Sequence, residues 1–341
     1  MKAPEFWSNP PDRPGWLSSV LWPAAALWQL GAKWRIDRAR PEQAPVPVLC
    51  VGNLTAGGAG KSPMVAALVQ HLAVRGTVAH IVSRGYGGRI KGPHLVDDDA
   101  DSAADVGDEP LMLAGYGTVW VADDRAAGAR AAAEAGAKLV ILDDGFQNPG
   151  LAKDASIVMV DAGQGFGNGR VIPAGPLREP VHQGLDRADL IVLVGDQKSR
   201  ERVAQIWPVL GTKPVLGARL VPQKTGLALD VAKVIAFAGI GRPEKFFQTL
   251  RDLGADIVAS HGFADHQVYD RKILQRLVRE ARDANAILVT TEKDAVRLPE
   301  AFRSQAFTVQ IRLEPDDWAP IDVILDRICP APGAEIGTES P

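Results

Sequence analysis

The sequence predicts an α/β protein: a mostly parallel sheet with helices on both faces, then a second, smaller α/β lobe, all preceded by an apolar N-terminal helix. Three observations carry this. Short β-branched runs alternate with segments of helical periodicity between residues 46 and 220. The alternation restarts near Lys233 after a connection at Pro214–Lys224. Five of the eight tryptophans fall within the first 34 residues.

Taken in order, the N-terminal segment comes first. From Val20 to Ala32 the only clearly polar side chain is Gln29, and Lys33, Arg35, Arg38 and Arg40 follow at once. The run is shorter than the about 20 apolar residues a membrane span needs. Acidic Glu5 and Asp12 precede it, unlike a signal peptide. Tryptophan favours the headgroup layer and basic residues attract anionic lipid, so residues 1–40 fit a helix lying in a membrane interface. A helix docked on the protein's own core fits the same residues.

Strands are expected at Val46–Gly52, Thr77–Ser83, Thr118–Ala122, Lys138–Asp143, Ser156–Asp161 and Asp189–Val194. Helices are expected at Lys61–Arg75, Arg125–Ala135 and Ser199–Ile206. Together they make a core over residues 41–220. A C-terminal lobe over 221–329 has strands at Val234–Ala238, Ile257–Ser260, Ala286–Thr290 and Phe307–Ile311, with helices at Pro243–Leu253 and Tyr269–Ala284. Residues 330–341, rich in proline, glycine and small polar residues, read as a disordered tail.

Composition narrows the function. Hydrophobic residues are 46% and charged residues 23%, ordinary for a globular chain and wrong for a disordered, collagen-like or polytopic membrane protein. A net charge of −3 disfavours a nucleic-acid partner. Cys50 and Cys329 alone make neither a disulfide framework nor a zinc site, and read as free thiols of a reducing cytoplasm.

The first strand runs into Gly52-Asn53-Leu54-Thr55-Ala56-Gly57-Gly58-Ala59-Gly60-Lys61-Ser62-Pro63. Small residues let the backbone curl so that its N–H groups converge on phosphate, and the next helix offers its N-terminus to the same anion. Lys61 suits β- and γ-phosphate charge and Ser62 suits Mg²⁺. The strict phosphate-loop pattern is not met, because Thr55 stands at its first glycine, but the strand–loop–helix context is right. A buried-strand run ends in Asp143-Asp144, where the metal-binding acid of a P-loop nucleotidase belongs.

A GTPase is disfavoured by the lack of an N-K-x-D motif, and a partner-switching ATPase by Ala56 where a second lysine belongs. A kinase survives best. The acceptor side has candidate loops: Ser83–Arg89 with Arg84 and Tyr86, Gly107–Pro110 with Asp108 and Glu109, and Gly165–Pro180 with Asn168, Arg178 and Glu179. Asp108 has the chemistry to accept a hydroxyl proton. In the second lobe Asp265-His266 is placed to reach across a cleft, and Gly239-Ile240-Gly241 is rejected as a dinucleotide fingerprint because Glu244 takes the third glycine's place.

In this order, the segments Gly52–Pro63, Ser83–Gly88, Gly107–Pro110, Asp143–Gln147, Gly167–Pro180, Gly239–Phe247, Asp265–Tyr269 and Thr291–Asp294 resemble the tetraacyldisaccharide 4'-kinase family, the lipid A 4'-kinases. The resemblance spans about residues 45–300 at intervals and implies γ-phosphate transfer from Mg-ATP to the 4'-hydroxyl of a tetraacylated glucosamine disaccharide 1-phosphate, at the cytoplasmic face of the bacterial inner membrane. It implies Asp108 as general base with His266 as its partner. Thr55, Ala56, Gly57, Gly58, Ala59, Gly60, Lys61 and Ser62 would hold ATP; Ser62, Asp143 and Asp144 would hold Mg²⁺. Arg84, Tyr86, Glu109, Asn168, Arg178 and Glu179 would line the substrate side, with Arg125 near the nucleotide. No obligate protein partner is implied. Two departures stand out: Asn148 where the family often has histidine, and Ser62 where threonine is usual. The competing readings are a P-loop kinase or ligase for a soluble metabolite, and a nucleotide-dependent switch at a membrane.

Overall fold

The computed structural model describes residues 3–223 and 229–330. Thirteen strands build two sheets. The large sheet uses β1 (Val48–Gly52), β2 (Ala79–Ser83), β3 (His94–Leu95), β4 (Val119–Val121), β5 (Leu139–Asp143), β6 (Ala155–Asp161), β7 (Leu190–Val194), β8 (Val215–Pro222) and β13 (Ile311–Pro315). The small sheet uses β9 (Lys233–Ala238), β10 (Asp256–Gly262), β11 (Ile287–Thr291) and β12 (Ala306–Val309).

The large sheet runs β13-β8-β7-β6-β1-β5-β2-β4-β3. It is parallel except at its edges, where β3 lies antiparallel to β4 and β13 to β8. Strands β1, β5 and β7 are buried along their whole length, as strands covered on both faces must be. One face packs the helices Lys61–Val74 and Ala319–Ile328 through Leu68, Leu72, Ile321 and Leu325. The other packs Arg125–Glu134, Val181–Asp186 and Gln197–Ile206 through Ala129, Leu185 and Val203. The small sheet, β10-β9-β11-β12, is wholly parallel. Its helices Pro243–Asp252 and Arg271–Asp283 cover opposite faces through Phe247 and Leu277.

Two sequence boundaries need correction. The connection expected at Pro214–Lys224 is mostly β8, whose mixture of exposed and buried residues hid a strand next to the edge. The lobe expected to run to residue 329 gives its last part back: Gln310 separates β12 from β13, and the chain from Ile311 to Ile328 rejoins the large sheet. The single strand expected at Phe307–Ile311 is therefore two strands in two sheets. The tail expected over 330–341 lies, Pro330 apart, outside the described residues.

The N-terminal helix, Trp16–Arg38, buries only Ser18 and Ala25. Trp16, Val20, Trp22, Leu27, Leu30 and Trp34 are all more than half exposed. Among the described residues no helix is long and apolar enough to cross a membrane. The helix is tied down near its start, where Ser18 Oγ donates to Ala174 O at 2.7 Å, and again where Trp28 Nε1 donates to Arg178 O at 3.4 Å.

Candidate functional site

The register of the central strands assembles the phosphate-binding half of the site. Strands β1 and β5 are parallel neighbours with Val51 opposite Asp143, so the two aspartates emerge beside the loop after Gly52. Such a carboxyl edge is where open α/β sheets bind ligands. The loop is held from within by Asn53, which is fully buried. Its Nδ2 donates to Thr55 O at 2.8 Å and Gly57 O at 3.1 Å, and its Oδ1 accepts from Lys61 Nζ at 3.3 Å. It is held from outside by Ala56 N, which donates to Pro176 O at 2.7 Å, and by Arg178 N, which donates to Leu54 O at 2.8 Å. Gly57 and Gly60 take φ of 126° and 86°, values that favour glycine. Thr55–Ser62 thus forms the loop expected, with Lys61 and Ser62 opening the helix Lys61–Val74.

The two acids are in different electrostatic states. Burial, then the charges of Glu109 and Asp144, push the Asp143 carboxyl up to about 7 against the pull of Lys61. Ser83 Oγ donates to Asp143 Oδ2 at 3.1 Å, while the buried Oδ1 finds no hydrogen-bond partner among the described residues. Burial pushes Asp144 up as well, but Lys61 at 3.6 Å and Arg178 at 2.9 Å outweigh it and hold that carboxyl below its ordinary value.

On the same lobe, Asp108 begins the short helix Asp108–Ala114 and is buried. Its Oδ2 lies 2.9 Å from His266 Nδ1 and 2.9 Å from Arg297 Nε. The base and the partner expected from sequence therefore meet, although 158 residues separate them. With Asp108 ionised, His266 donates from Nδ1. His266 and Asp144 take φ of 59° and 50°, a left-handed conformation uncommon outside glycine and concentrated at working sites. Gly107, just before Asp108, packs so tightly on the Ser83–Arg89 loop that a Cβ would sit 2.7 Å from Tyr86 O.

The remaining expected residues divide. Tyr86 is exposed with its ring 5.8 Å from that of His266, and Arg84 is exposed 3.7 Å from Asp123. Arg178 bridges Asp144 and Gln147. Glu109 pairs with Lys293 at 3.3 Å, and its charge helps to raise Asp143. Arg125 is buried, with Nη1 donating to Ala122 O and Asp123 O; burial, then Arg84, lower its proton affinity.

Asn168 and Glu179 need correcting. Asn168 is buried and its Nδ2 donates to Phe6 O, Ser18 Oγ and Ala174 O, tying the N-terminal segment to the Gly165–Pro180 loop instead of facing a ligand. Glu179 is buried, grips Arg187 through both oxygens and accepts from Gln147 Nε2. Each makes several bonds inside the protein and acts as an internal strut. Asn148, the departure noted above, closes a local turn with Oδ1 accepting from Gly150 N at 2.8 Å. Sequence reasoning missed Asn53, which sat unremarked inside the glycine-rich run, and gave no role to Lys293, inside the matching segment Thr291–Asp294, or to Arg297 just beyond it.

A glycine-rich loop of phosphate-binding geometry on the large lobe, beside a buried carboxylate contacted from the small lobe, has the parts that phosphoryl transfer to a hydroxyl requires, and it gives the protein the class of a P-loop kinase. The profile of one family, described as "Tetraacyldisaccharide-1-P 4'-kinase", matches residues 17–329. The tetraacyldisaccharide 4'-kinase of Dinoroseobacter shibae is 51% identical over 331 residues, 97% of this chain and 98% of that one. That of Rhodospirillum centenum is 52% identical over 331 residues, 96% of each. The crystal structure of LpxK from Aquifex aeolicus in complex with ATP superposes with a TM-score of 0.74 at 27% identity, covering 92% of this chain and 99% of that one. The chain belongs to the tetraacyldisaccharide-1-P 4'-kinase family. It is an ATP-dependent kinase of lipid A biosynthesis.

Proposed function

We propose that the chain works as a Mg²⁺-dependent kinase on the cytoplasmic face of a bacterial inner membrane, with Asp108 as general base and the Thr55–Ser62 loop, Asp143 and Asp144 as its nucleotide and metal site. The acceptor is the 4'-hydroxyl of a tetraacyldisaccharide 1-phosphate. The observation that carries the reading is the contact of buried Asp108 with His266, 2.9 Å long and made between lobes.

Asp108 takes the hydroxyl proton as the acceptor oxygen bonds to the γ-phosphorus, and the bond to the bridging oxygen breaks to release ADP. His266 orients the carboxylate. Lys61 and the loop N–H groups neutralise the phosphates, which matters more here than covalent help. Ser62 Oγ, Asp143 and Asp144 would hold Mg²⁺, and the unpartnered buried Oδ1 of Asp143 is a ready ligand for a hard cation. When bound, the ion adds charge neutralisation at the β- and γ-phosphates. Arg84, Tyr86 and Arg178 supply contacts for a headgroup that already carries a phosphate.

The membrane reading rests on Trp16–Arg38, whose exposed tryptophans and leucines are followed by a basic cluster. A soluble acceptor gives no reason for that surface.

The test is transfer of labelled γ-phosphate from ATP to tetraacyldisaccharide 1-phosphate in micelles, by wild type, Asp108→Ala and Lys61→Ala. Labelled lipid from wild type and severe loss in both variants is expected. Full activity of Asp108→Ala would remove it as the base, and activity without divalent cation would remove the metal site.

A further inference from the structure

The segment after β11, Glu292–Arg297, touches the large lobe with three charged side chains. Glu292 accepts from Tyr116 OH and from Arg312. Lys293 Nζ lies 3.3 Å from Glu109 and 3.9 Å from Asp108. Arg297 Nε donates to Asp108 Oδ2 at 2.9 Å. None of these side chains was needed to describe phosphate binding, yet two of them converge on the carboxylate that takes the proton.

We infer that Arg297 is the positioning residue for Asp108, fixing the carboxylate for proton abstraction from the opposite lobe; this rests on the reading of Asp108 as base. The guanidinium is built to hold still. Its side chain is 7% exposed, Nη1 donates to Gly239 O at 2.9 Å, and the same nitrogen meets Asp294 Oδ1 at 3.1 Å. Asp294 is itself locked, fully buried and bonded through that oxygen to Tyr269 OH at 2.6 Å and Gly239 N at 2.9 Å. A planar fork held on one side by two fixed acceptors leaves Nε with a set direction, and Asp108 Oδ2 takes it.

The arrangement divides the work between the two oxygens of the carboxylate. Oδ2 receives His266 and Arg297 from the small lobe, while Oδ1 accepts only the neighbouring Glu109 N at 3.1 Å. Oδ1 keeps lone-pair capacity for the acceptor hydroxyl, and Oδ2 is the anchored oxygen. Arg297 Nη2 is buried with no partner among the described residues, so the fork also keeps one donor beside the reacting carboxylate. Because Gly239 O accepts both Arg297 Nη1 and His266 N, one carbonyl sets the partner histidine and the arginine together.

The experiment compares wild type, Asp108→Asn, Arg297→Ala, Arg297→Lys and the double variant Asp108→Asn/Arg297→Ala, with kcat taken per folded, ATP-binding molecule. For Arg297→Ala we expect kcat to fall about 10- to 100-fold, the loss that follows a misplaced catalytic group, with the KM for ATP within about twofold. Arg297→Lys keeps charge without the fork and falls between. Free guanidinium chloride at millimolar concentration restores part of the kcat of Arg297→Ala and nothing to Asp108→Asn. In the double variant the arginine change has no further effect. A full kcat in Arg297→Ala, while Asp108→Asn is inactive, overturns the positioning role and leaves the base intact. An active Asp108→Asn overturns the base itself. A loss in Arg297→Ala that guanidinium does not relieve, and that adds in full to the Asp108 loss, reduces Arg297 to a strut of the small lobe. Should Arg297→Ala fail to fold, a wild-type kcat in Arg297→Lys overturns the inference on its own.

Discussion

Replacing Asn53 by aspartate changes one donor into an acceptor without changing the side chain's shape, and the phosphate loop is built around that donor. Nδ2 serves Thr55 O at 2.8 Å and Gly57 O at 3.1 Å. Losing both bonds costs about 1 kcal/mol each, and setting an oxygen against two carbonyls in an enclosed site adds roughly another 1–3 kcal/mol. Partial protonation of the new carboxyl, favoured by burial, brings the sum back to about 3 kcal/mol near neutral pH. For a domain of this size that lowers the melting temperature by about 6–12 °C. ATP suffers separately. Lys61 Nζ now lies 3.3 Å from Asn53 Oδ1 and 3.6 Å from Asp144. A second carboxylate draws it from the phosphates and repels them, a change of about 2 kcal/mol or roughly 30-fold in ATP affinity. The sign with pH follows: the introduced acid has a raised folded-state pKa, so the penalty grows as pH rises through it and shrinks in acid. Thermal melts and ATP titrations at pH 6 and pH 8 read both effects. An ATP Kd within about twofold of wild type at pH 8, with a melting point within about 2 °C, would refute the claim that Asn53 organises the loop.

Three further outcomes are expected. Gly107→Ala places a Cβ 2.7 Å from Tyr86 O at a φ of 91°, so strain of about 1–3 kcal/mol should appear as a lower melting point, with a larger loss in kcat because Asp108 is the next residue; unchanged turnover would show that the base tolerates a shifted loop. His80 is buried and accepts from Trp120 Nε1 at 3.3 Å, and burial lowers its pKa. Its contribution is therefore complete above its unfolded value of about 6.5 and is lost as pH falls below it, so urea midpoints of wild type should drop between pH 7.5 and 5.5 more than those of His80→Gln, and parallel drops would exclude His80 as the source. Trp22→Glu with Leu30→Glu, both on the exposed surface of the N-terminal helix, should abolish flotation with anionic liposomes while leaving the melting point within about 1 °C; equal flotation would move the membrane contact elsewhere.

The parts of this molecule legible in the sequence are those where local pattern and tertiary role coincide. Strands β1, β5, β6 and β7 are apolar runs because both faces are covered, and glycine before Lys61 marks the loop whatever surrounds it. Strands β8 and β13 were hidden for the converse reason: at the sheet's edge their composition is mixed, and one residue, Gln310, separates membership of one sheet from membership of the other. At the site, Asp108 and His266 were candidates from their loops, but their pairing as base and partner came with the resemblance to a family, since nothing in their spacing announces a 2.9 Å contact. Asn168 and Glu179 misled because a polar residue in a Gly- and Pro-rich loop looks the same whether it awaits a ligand or braces the loop. Arg297 was invisible because its importance lies in the fixed acceptors Gly239 O and Asp294, which only folding brings to it.

The Gly165–Pro180 loop has two tenants. Its Ala174 carbonyl and Asn168 amide hold the start of the N-terminal helix, while its Pro176 carbonyl holds Ala56 of the phosphate loop and its Arg178 side chain holds Asp144. The helix and the nucleotide are thus mounted on one short bracket. If the helix lies on a bilayer as proposed, that bracket would act as a depth stop: the height of the phosphate loop above the helix would be set by a few hydrogen bonds rather than by a flexible tether. A sugar whose acyl chains stay in the bilayer presents its hydroxyls at a height set by the lipid. On that proposal, the reach of the kinase would depend on the stand-off between helix and phosphate loop as well as on the groups that touch the sugar.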